Sequence, residues 1–285
     1  MRNFCNLSKL FRYVNDNGDS ITFDYANGCL INKPTGIDTL SVNLSQAQGI
    51  NQVGATIRSK TVQPRPVTIS GALFGDNQSA VKDRLLAVVR PDIGGKLYAD
   101  NYYLDVHVTA TPTIEAVKRG AKFQFSLLAP YPYWRRDDSV STPLSGIEKL
   151  FKFPWNLSQP YRFGRLTETA FINIINAGQV PVPFTVTFVA SGDVSNPRII
   201  NALTGESLKI IKSLVAGERL VVEITHDRTY VTSRIDGDCR GALSLQSNLY
   251  RLSTGDNVLK PEADSGLNNM QMYVNYAAEI VGISL

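Results

Sequence analysis

Apolar and polar residues alternate one by one through most of this sequence, and this period of two limits the fold more than any other feature. The pattern is found in Val67, Ile69 and Leu73, in Leu104, Val106 and Val108, and in Phe123, Phe125 and Leu127. Successive side chains of a strand point to opposite faces, so each segment has one face for a core and one for solvent or a partner. The pattern favours antiparallel sheets over a layout in which strands alternate with helices.

Short turn sequences separate these segments. Asn17-Gly18, Asn27-Gly28 and Asp236-Gly237 are pairs that favour tight hairpin turns. In the second half of the chain, short strand candidates lie at 198–203, 207–211, 219–224 and 229–234. Many short strands with a turn signal about every ten residues indicate a sandwich or a jelly roll.

Residues 77–90 have the period of a helix instead. Their apolar stripe consists of Val81, Leu85, Val88 and Val89. These positions follow i, i+4, i+7 and i+8, which places them on one side of a helix. Asn77 is a candidate N-cap, and Pro91 ends the segment. Because strands flank the segment, we expect this short helix to bury its stripe on a sheet as part of the core.

A stretch rich in proline and aromatic residues divides the chain. It begins with Pro130, Tyr131, Pro132 and Trp134. With 285 residues, the chain has room for two ordinary domains. We therefore predict an all-β protein with an N-terminal β-sandwich-like domain over 1–135, an extended aromatic connecting segment over 136–165, and a C-terminal β-sandwich or jelly-roll domain over 166–285.

Residue types that carry catalysis or bind metals are sparse. His107 and His226 lie in different predicted domains, and Cys5, Cys29 and Cys239 are widely spaced. Metal sites need ligands at defined spacing, and isolated cysteines indicate reduced thiols rather than disulfides. The sequence contains none of the common nucleotide-binding, hydrolase or zinc-protease motifs. We therefore expect no catalytic residue, metal or cofactor.

The charge pattern gives no sign of a polyanion or membrane partner. The formal net charge is +4, and the pair Arg135-Arg136 is followed at once by Asp137-Asp138. No basic stripe indicates specific nucleic-acid binding. No segment approaches the roughly 18 apolar residues of a membrane span, and the N-terminus lacks the apolar core of a signal peptide. We expect a soluble protein that is made in a cytoplasm.

Several short motifs follow one another in a characteristic order. In the first half they are the helix, Lys96-Leu97-Tyr98, and a strand that ends in Pro130-Tyr131-Pro132-Tyr133-Trp134. In the second half they are Asn173-Ile174-Ile175-Asn176-Ala177-Gly178, Asn196-Pro197-Arg198, Thr204-Gly205-Glu206, Ala216-Gly217-Glu218 and Leu252-Ser253-Thr254-Gly255-Asp256-Asn257. Each motif is short, but the order covers nearly the whole chain. It resembles that of the phage tail-component family, and in particular of siphophage distal tail proteins.

The resemblance implies a structural protein of a bacteriophage or prophage tail tip. In that family the N-terminal domains form a hexameric ring around the path of the genome, and the C-terminal domains are galectin-like. The ring joins the tail tube protein to the tail-associated hub protein and to the receptor-binding apparatus of host attachment. The implied location is the virion, after a period in the host cytoplasm before assembly. A galectin-like fold does not by itself imply sugar binding.

The segment 45–63 is polar and long for a hairpin tip. It contains Gln48, Gly49 and Gly54. Two interpretations stay open, an inter-subunit arm that lies on the next copy of the ring or a mobile surface loop.

A carbohydrate-binding, lectin-like adhesion protein is the rival function. In that reading, exposed aromatic residues such as Trp155 or Tyr230 stack on sugar. A polysaccharide-degrading enzyme needs two carboxylates at a set separation, and the sequence identifies no such pair. Mass in solution distinguishes the tail-tip ring from the lectin-like protein, because a ring elutes at several times the 31.4 kDa chain mass.

Overall fold

The chain divides into two compact units, each described by itself. The structure, a computed structural model, describes residues 9–118, 120–143, 146–149, 164–167 and 171–284. Unit 1 contains the chain up to Asp137 together with the C-terminal residues from Glu279 onward, and unit 2 is Asp138–Ala278. The domain borders at 135/136 and 165/166 stay predictions, and most of the connecting segment, Trp155 included, lies outside the described residues. The return of the C-terminal residues to unit 1 was not expected from the sequence.

The elements follow in chain order. Unit 1 begins with β1 (Phe11–Asn15), β2 (Ser20–Phe23), β3 (Cys29–Ile31), β4 (Val42–Ala47), β5 (Thr56–Val62), β6 (Arg65–Leu73), α1 (Gln78–Val88), β7 (Gly94–Ala99), β8 (Tyr102–Val117), β9 (Gly120–Ala129) and β10 (Trp134–Arg136). Unit 2 contains β11 (Val140–Pro143), β12 (Gly146–Lys149), β13 (Gly164–Thr167), β14 (Ile172–Asn176), β15 (Thr185–Ala190), β16 (Val194–Ser195), β17 (Arg198–Asn201), β18 (Ser207–Lys209), β19 (Ser213–Leu214), β20 (Arg219–Ile224), β21 (Thr229–Ser233), β22 (Gly237–Asp238), β23 (Gly255–Glu262) and β24 (Met270–Tyr276), with 3-10 turns at Arg240–Ala242 and Leu267–Asn269. The last strand, β25 (Glu279–Ile280), belongs to unit 1.

Unit 1 is built on one nine-stranded antiparallel sheet. Seven strands follow the order β2-β1-β7-β8-β9-β6-β3, and β10 pairs with both β8 and β25. The alternation in the sequence matches the two faces of this sheet. Its buried inner face includes Val67, Ile69, Leu73, Leu104, Val106, Phe123, Phe125 and Leu127. Packing of these residues forms a single core.

The one α-helix of the described residues closes this core. Leu85, Val88 and Val89 are buried, and Val81 is partly buried against the same cluster. The structure thus places the whole predicted stripe on the core. Asn77 occupies the N-cap position, but its side chain makes no capping hydrogen bond.

Unit 2 is a sandwich of two sheets. One has the order β11-β24-β15-β20-β21-β22 and the other β14-β23-β17-β18. Residues of both sheets, such as Phe188 and Met272 from the first and Ile199 and Leu259 from the second, pack into one core. The predicted all-β class with a single short helix is therefore confirmed.

A buried carboxylate in unit 2 ties β20 to its neighbours. Glu218 is 2% exposed, accepts a hydrogen bond from Ser233 Oγ at 2.6 Å, and lies 3.1 Å from Lys212 Nζ. Burial opposes its ionisation, but the hydrogen bonds from Ser233 and Lys212 and the Lys212 charge outweigh burial and lower the pKa of Glu218 below its usual value.

We expect adjacent leucines of α1 to differ sharply in their effect on stability. Leu85→Ala removes a fully buried side chain and should lower the free energy of unfolding by about 2–5 kcal/mol. Leu86→Ala, at a position that is 42% exposed, is the matched control and should stay within about 0.5 kcal/mol. Urea unfolding of both variants measures the difference. A loss within about 0.5 kcal/mol for Leu85→Ala as well would show that the stripe lies outside the core.

We also expect Glu218 to contribute to the acid limb of stability. Because its folded pKa is lowered, its contribution is complete above the unfolded pKa of about 4.3 and is lost as the pH falls through the folded value. In Glu218→Gln, the free energy of unfolding should therefore decrease less steeply as the pH is lowered from about 5 to about 3. Glu223→Gln, at an exposed position of β20, is the control. An unchanged slope in the Glu218 variant would contradict this role.

Candidate assembly surfaces

Strands β4 and β5 form a hairpin that pairs with no other strand among the described residues. We call residues 42–62 the arm. Every residue of the arm is exposed except Ala47, which is partly exposed. Gln48, Gly49 and Gly54 lie at its tip, where Gly49 N donates to Gln52 Oε1 at 2.9 Å. The predicted arm segment is thus an ordered ribbon that contributes nothing to the core.

The arm carries apolar side chains that its own chain does not bury. They are Val42, Leu44, Ile50, Val53, Ile57 and Val62. Val42 lies opposite Val62, and a register shift at Ser45/Gln46 places Ile57 opposite Gln46. Cross-strand partners share a face, so the shift brings Ile57 to the face of Val42 and Leu44. The opposite face is polar, which makes the arm an amphipathic ribbon.

One buried arginine fixes the root of the arm. Arg65 follows the arm in the chain and is 1% exposed. Its Nε donates to Pro132 O and its Nη1 to Gly36 O, both at 2.7 Å, and its Nη2 donates to Val281 O. The guanidinium therefore connects three distant segments of unit 1.

Burial lowers the pKa of Arg65 to about 10, and the nearby Asp38 carboxylate partly offsets this effect. The group stays charged at neutral pH. A buried charge is tolerated when it is well hydrogen-bonded, and three backbone carbonyls accept from this guanidinium.

The predicted domain-junction residues lie inside unit 1, beside this arginine. Trp134 is fully buried, and its Nε1 donates to Ile37 O at 3.0 Å. Pro132 supplies the Arg65 acceptor, while Tyr131 OH donates to Glu279 at 2.5 Å. Pro130 is exposed. The signature therefore joins the arm root to the C-terminal residues.

The C-terminal segment is the part of this cluster that sequence reasoning missed. Ile283 is buried in the unit 1 core, and its N–H donates to Ile37 O at 3.1 Å. A Cβ on Gly282 would lie 2.5 Å from Asp38 O, so only glycine allows this close approach. The apolar run Ile280-Val281-Gly282-Ile283 was the available signal for a strand that joins a core.

Half of the outer face of the unit 1 sheet is covered by its own side chains. Arg12, Tyr98, Tyr103 and Arg135 face one another in register across β1, β7, β8 and β10. The Arg12 guanidinium lies 4.8 Å from the Tyr98 ring centre, and Lys96 Nζ lies 4.5 Å from that of Tyr103. These cation–π contacts form a tyrosine–cation row that leaves little of this half open to a partner.

The other half of the same face is an open cleft of about 1110 Å³ over β3, β6, β9 and the end of β8. Small residues, Ser70 and Ala72, line it, together with Leu30, Glu115 and Gln124. Tyr25 and Val117 add exposed apolar side chains to its lining. The Tyr25 ring lies 5.0 Å from that of Phe74.

The remaining sequence candidates stay apart. His107 is exposed on β8, Cys29 is buried with a pKa raised to about 12 chiefly by burial, and Cys5 lies outside the described residues. Tyr230 is 40% exposed on β21.

Over the described ranges, no group of three His, Cys, Asp or Glu side chains suits a metal. In the same part of the chain, no helix is long and apolar enough to span a membrane.

We expect loss of the Arg65 contacts to destabilise unit 1 strongly. Arg65→Met removes the donor to the carbonyls of Gly36, Pro132 and Val281 and should cost about 3–5 kcal/mol. Arg58→Met, on the exposed arm, is the matched control and should change stability by less than about 0.5 kcal/mol. Denaturant unfolding gives both values. A tolerated Arg65→Met would show that the cluster is held by packing alone.

Comparison with known proteins gives one family and one fold. The family model for the C-terminal domain of siphovirus-type tail components matches residues 177–277. No curated protein sequence matches the chain. The crystal structure of the SPP1 Dit (gp 19.1) protein, described as a paradigm of the hub adsorption apparatus in phages that infect Gram-positive bacteria, is similar with a TM-score of 0.68 at 14% identity, over 94% of this chain and 98% of that chain.

Two structures of the phage P2 baseplate in its activated conformation, with Ca and with Sr, are also similar. Their TM-scores are 0.53 and 0.52, each at 11% identity over 96% of this chain and 99% of the matched chain. At such identities the structural likeness establishes the fold alone. The family match to residues 177–277 and this likeness in fold together confirm the resemblance that the sequence motifs indicate. Residues 177–277 match the C-terminal domain of siphovirus-type tail components, and the chain as a whole is similar in fold to the SPP1 Dit protein.

Proposed function

We propose that this chain is a non-catalytic distal tail protein of a phage or prophage tail tip and that its copies form a hexameric ring. The ring joins the tail tube protein to the tail-associated hub protein and to the receptor-binding apparatus, and the genome passes through it. The mature location is the virion, and the host cytoplasm is the place of synthesis. The family of residues 177–277 and the fold of the chain support this proposal.

The observation that carries the proposal is the arm. Six large apolar side chains are exposed on it, and Ile50 and Val53 reach 97% and 101% exposure. A two-stranded hairpin alone is only marginally stable in water, and clustered exposed apolar residues mark interaction surfaces. An arm of this kind suits a contact with a neighbouring copy better than a solvated loop.

The energetic scale of such a contact suits a ring. Full burial of one Val, Leu or Ile side chain contributes roughly 1.5–3 kcal/mol. Association costs about 4–15 kcal/mol in lost freedom, so one junction made by six such residues is modest. Closure of the ring adds the last junction without a further loss of translational freedom. We therefore expect assembly to be cooperative and to depend on concentration.

The lectin-like alternative receives less support from the structure. Of its two candidate aromatic residues, Tyr230 is 40% exposed on β21, and Trp155 lies outside the described residues. The sandwich of unit 2 is shared by many functions and does not itself indicate sugar binding.

The test compares the full chain with an arm-less variant. Gln63 N donates to Ser41 O at 2.9 Å, so a short Gly-Ser link can replace residues 42–62 without moving the root. At high concentration, with and without the tail-hub partner, light scattering should give several times 31.4 kDa for the full chain and a monomer for the variant. The control is Asn43→Ala with Thr61→Ala on the polar face, which should assemble normally.

Two outcomes would contradict the proposal in different ways. A full chain that never exceeds a dimer under these conditions would rule out the ring, and glycan binding would then be the next function to measure. If the full chain and the arm-less variant form rings of equal size, the ring proposal stands, but the arm is not needed for assembly. Circular dichroism of the variant establishes that unit 1 is still folded.

A further inference from the structure

We propose that the arm of one copy docks in the cleft on unit 1 of the next copy. The contact would lie over β3, β6, β9 and the end of β8. This inference rests on the proposed ring and names the two surfaces that meet at each junction. A head-to-tail ring needs two different, complementary patches on every copy.

The exposed apolar residues of unit 1 point to these two patches. In the described part of unit 1, the large apolar residues that are exposed are Leu10, Tyr25, Val42, Leu44, Ile50, Val53, Ile57, Leu86, Val62 and Val117. Six belong to the arm, and Tyr25 and Val117 line the cleft. Only Leu10 and Leu86 lie elsewhere.

The two halves of the outer sheet face differ in what they offer a partner. The tyrosine–cation row covers one half with long side chains that already contact one another. The cleft half is lined by Ser70 and Ala72, whose short side chains let a β-ribbon come close to the sheet. Its volume of about 1110 Å³ gives room for the side chains of one face of the arm.

The charges of the arm and of the cleft lining allow an ion pair between two copies. The arm contains Arg58 and Lys60 and no acidic residue. Glu115 is the one carboxylate in the cleft lining. Lys122 also lines the cleft and lies opposite Glu115 in the β8–β9 register. Glu115 could pair with a cation of the incoming arm, and apolar burial would supply most of the stabilisation.

The test blocks each surface separately. Ala72→Arg fills the cleft with a long cation that also repels Arg58 and Lys60. Gln124→Arg places a cation in the cleft from an exposed position. It therefore tests the cleft contact even if Ala72→Arg prevents folding. Thr109→Arg, at an exposed position of β8 outside the cleft lining, is the matched control. The arm-less variant blocks the other surface.

Native mass spectrometry then reads the assemblies of single variants and of mixtures. We expect Thr109→Arg to form the wild-type assembly, and the arm-less and both cleft variants to be monomers. The arm-less variant keeps a cleft and a cleft variant keeps an arm, so their mixture should give a one-to-one heterodimer and nothing larger.

Each contrary outcome has its own meaning. Wild-type-like assemblies from both cleft variants would overturn the cleft contact and leave the ring intact. A mixture without heterodimer, even at millimolar concentration, would overturn it as well. A wild-type chain that stays monomeric would overturn the proposed ring and this contact together.

Discussion

The buried guanidinium of Arg65 is the interaction on which the architecture of unit 1 depends. A charged group inside a core is costly unless it is hydrogen-bonded, so the carbonyls of Gly36, Pro132 and Val281 come together around it. That requirement draws the C-terminal residues back to unit 1 and sets β25 beside β10. Trp134 and Ile283 then fill the space around the arginine with apolar contacts.

The same cluster separates the stability of unit 1 from its candidate assembly surfaces. Gly36 and Arg65 flank the arm in the chain, so a rigid root carries a ribbon that adds nothing to the core. The arm can therefore leave its apolar side chains exposed without loss of the fold. The cleft lies on the outer face of the sheet, where small residues take the place of the tyrosine–cation row. Both surfaces are available because their outward side chains, such as Ile57 of the arm and Ala72 of the cleft, are not part of the unit 1 core.

The periodicity of the sequence predicts the features that short segments determine by themselves, namely strands, helices and their buried faces. The alternation at Leu104, Val106 and Val108 gave the buried face of β8, and the stripe around Leu85 gave the helix on the core. The contact between residues 65 and 281 spans 216 positions, and no local pattern encodes it. For the same reason the local sequence around Trp134 predicts a domain junction, although the Trp134 indole lies within unit 1 and donates to Ile37 O.

The assembly surfaces were predictable only in part. The polar composition around Gln48 and Gly54 indicated an arm or a loop, but the apolar face of the ribbon depends on the register shift that realigns Ile57. The cleft brings together β3, β6, β9 and the end of β8, which are distant in the chain, so it appears only after the sheet is assembled. Pairing between strands, rather than the pattern within one strand, creates both surfaces.

Amide hydrogen exchange of the dilute monomer and of the assembled protein tests the central claim most directly. An isolated hairpin opens readily, so amides of residues 42–62 should exchange quickly in the monomer. In the assembly, we expect strong protection of the arm and of the cleft peptides around residues 70–72 and 122–124, with no change at the tyrosine–cation row. Arm amides that exchange equally fast in both states, while the mass rises several-fold, would contradict the account.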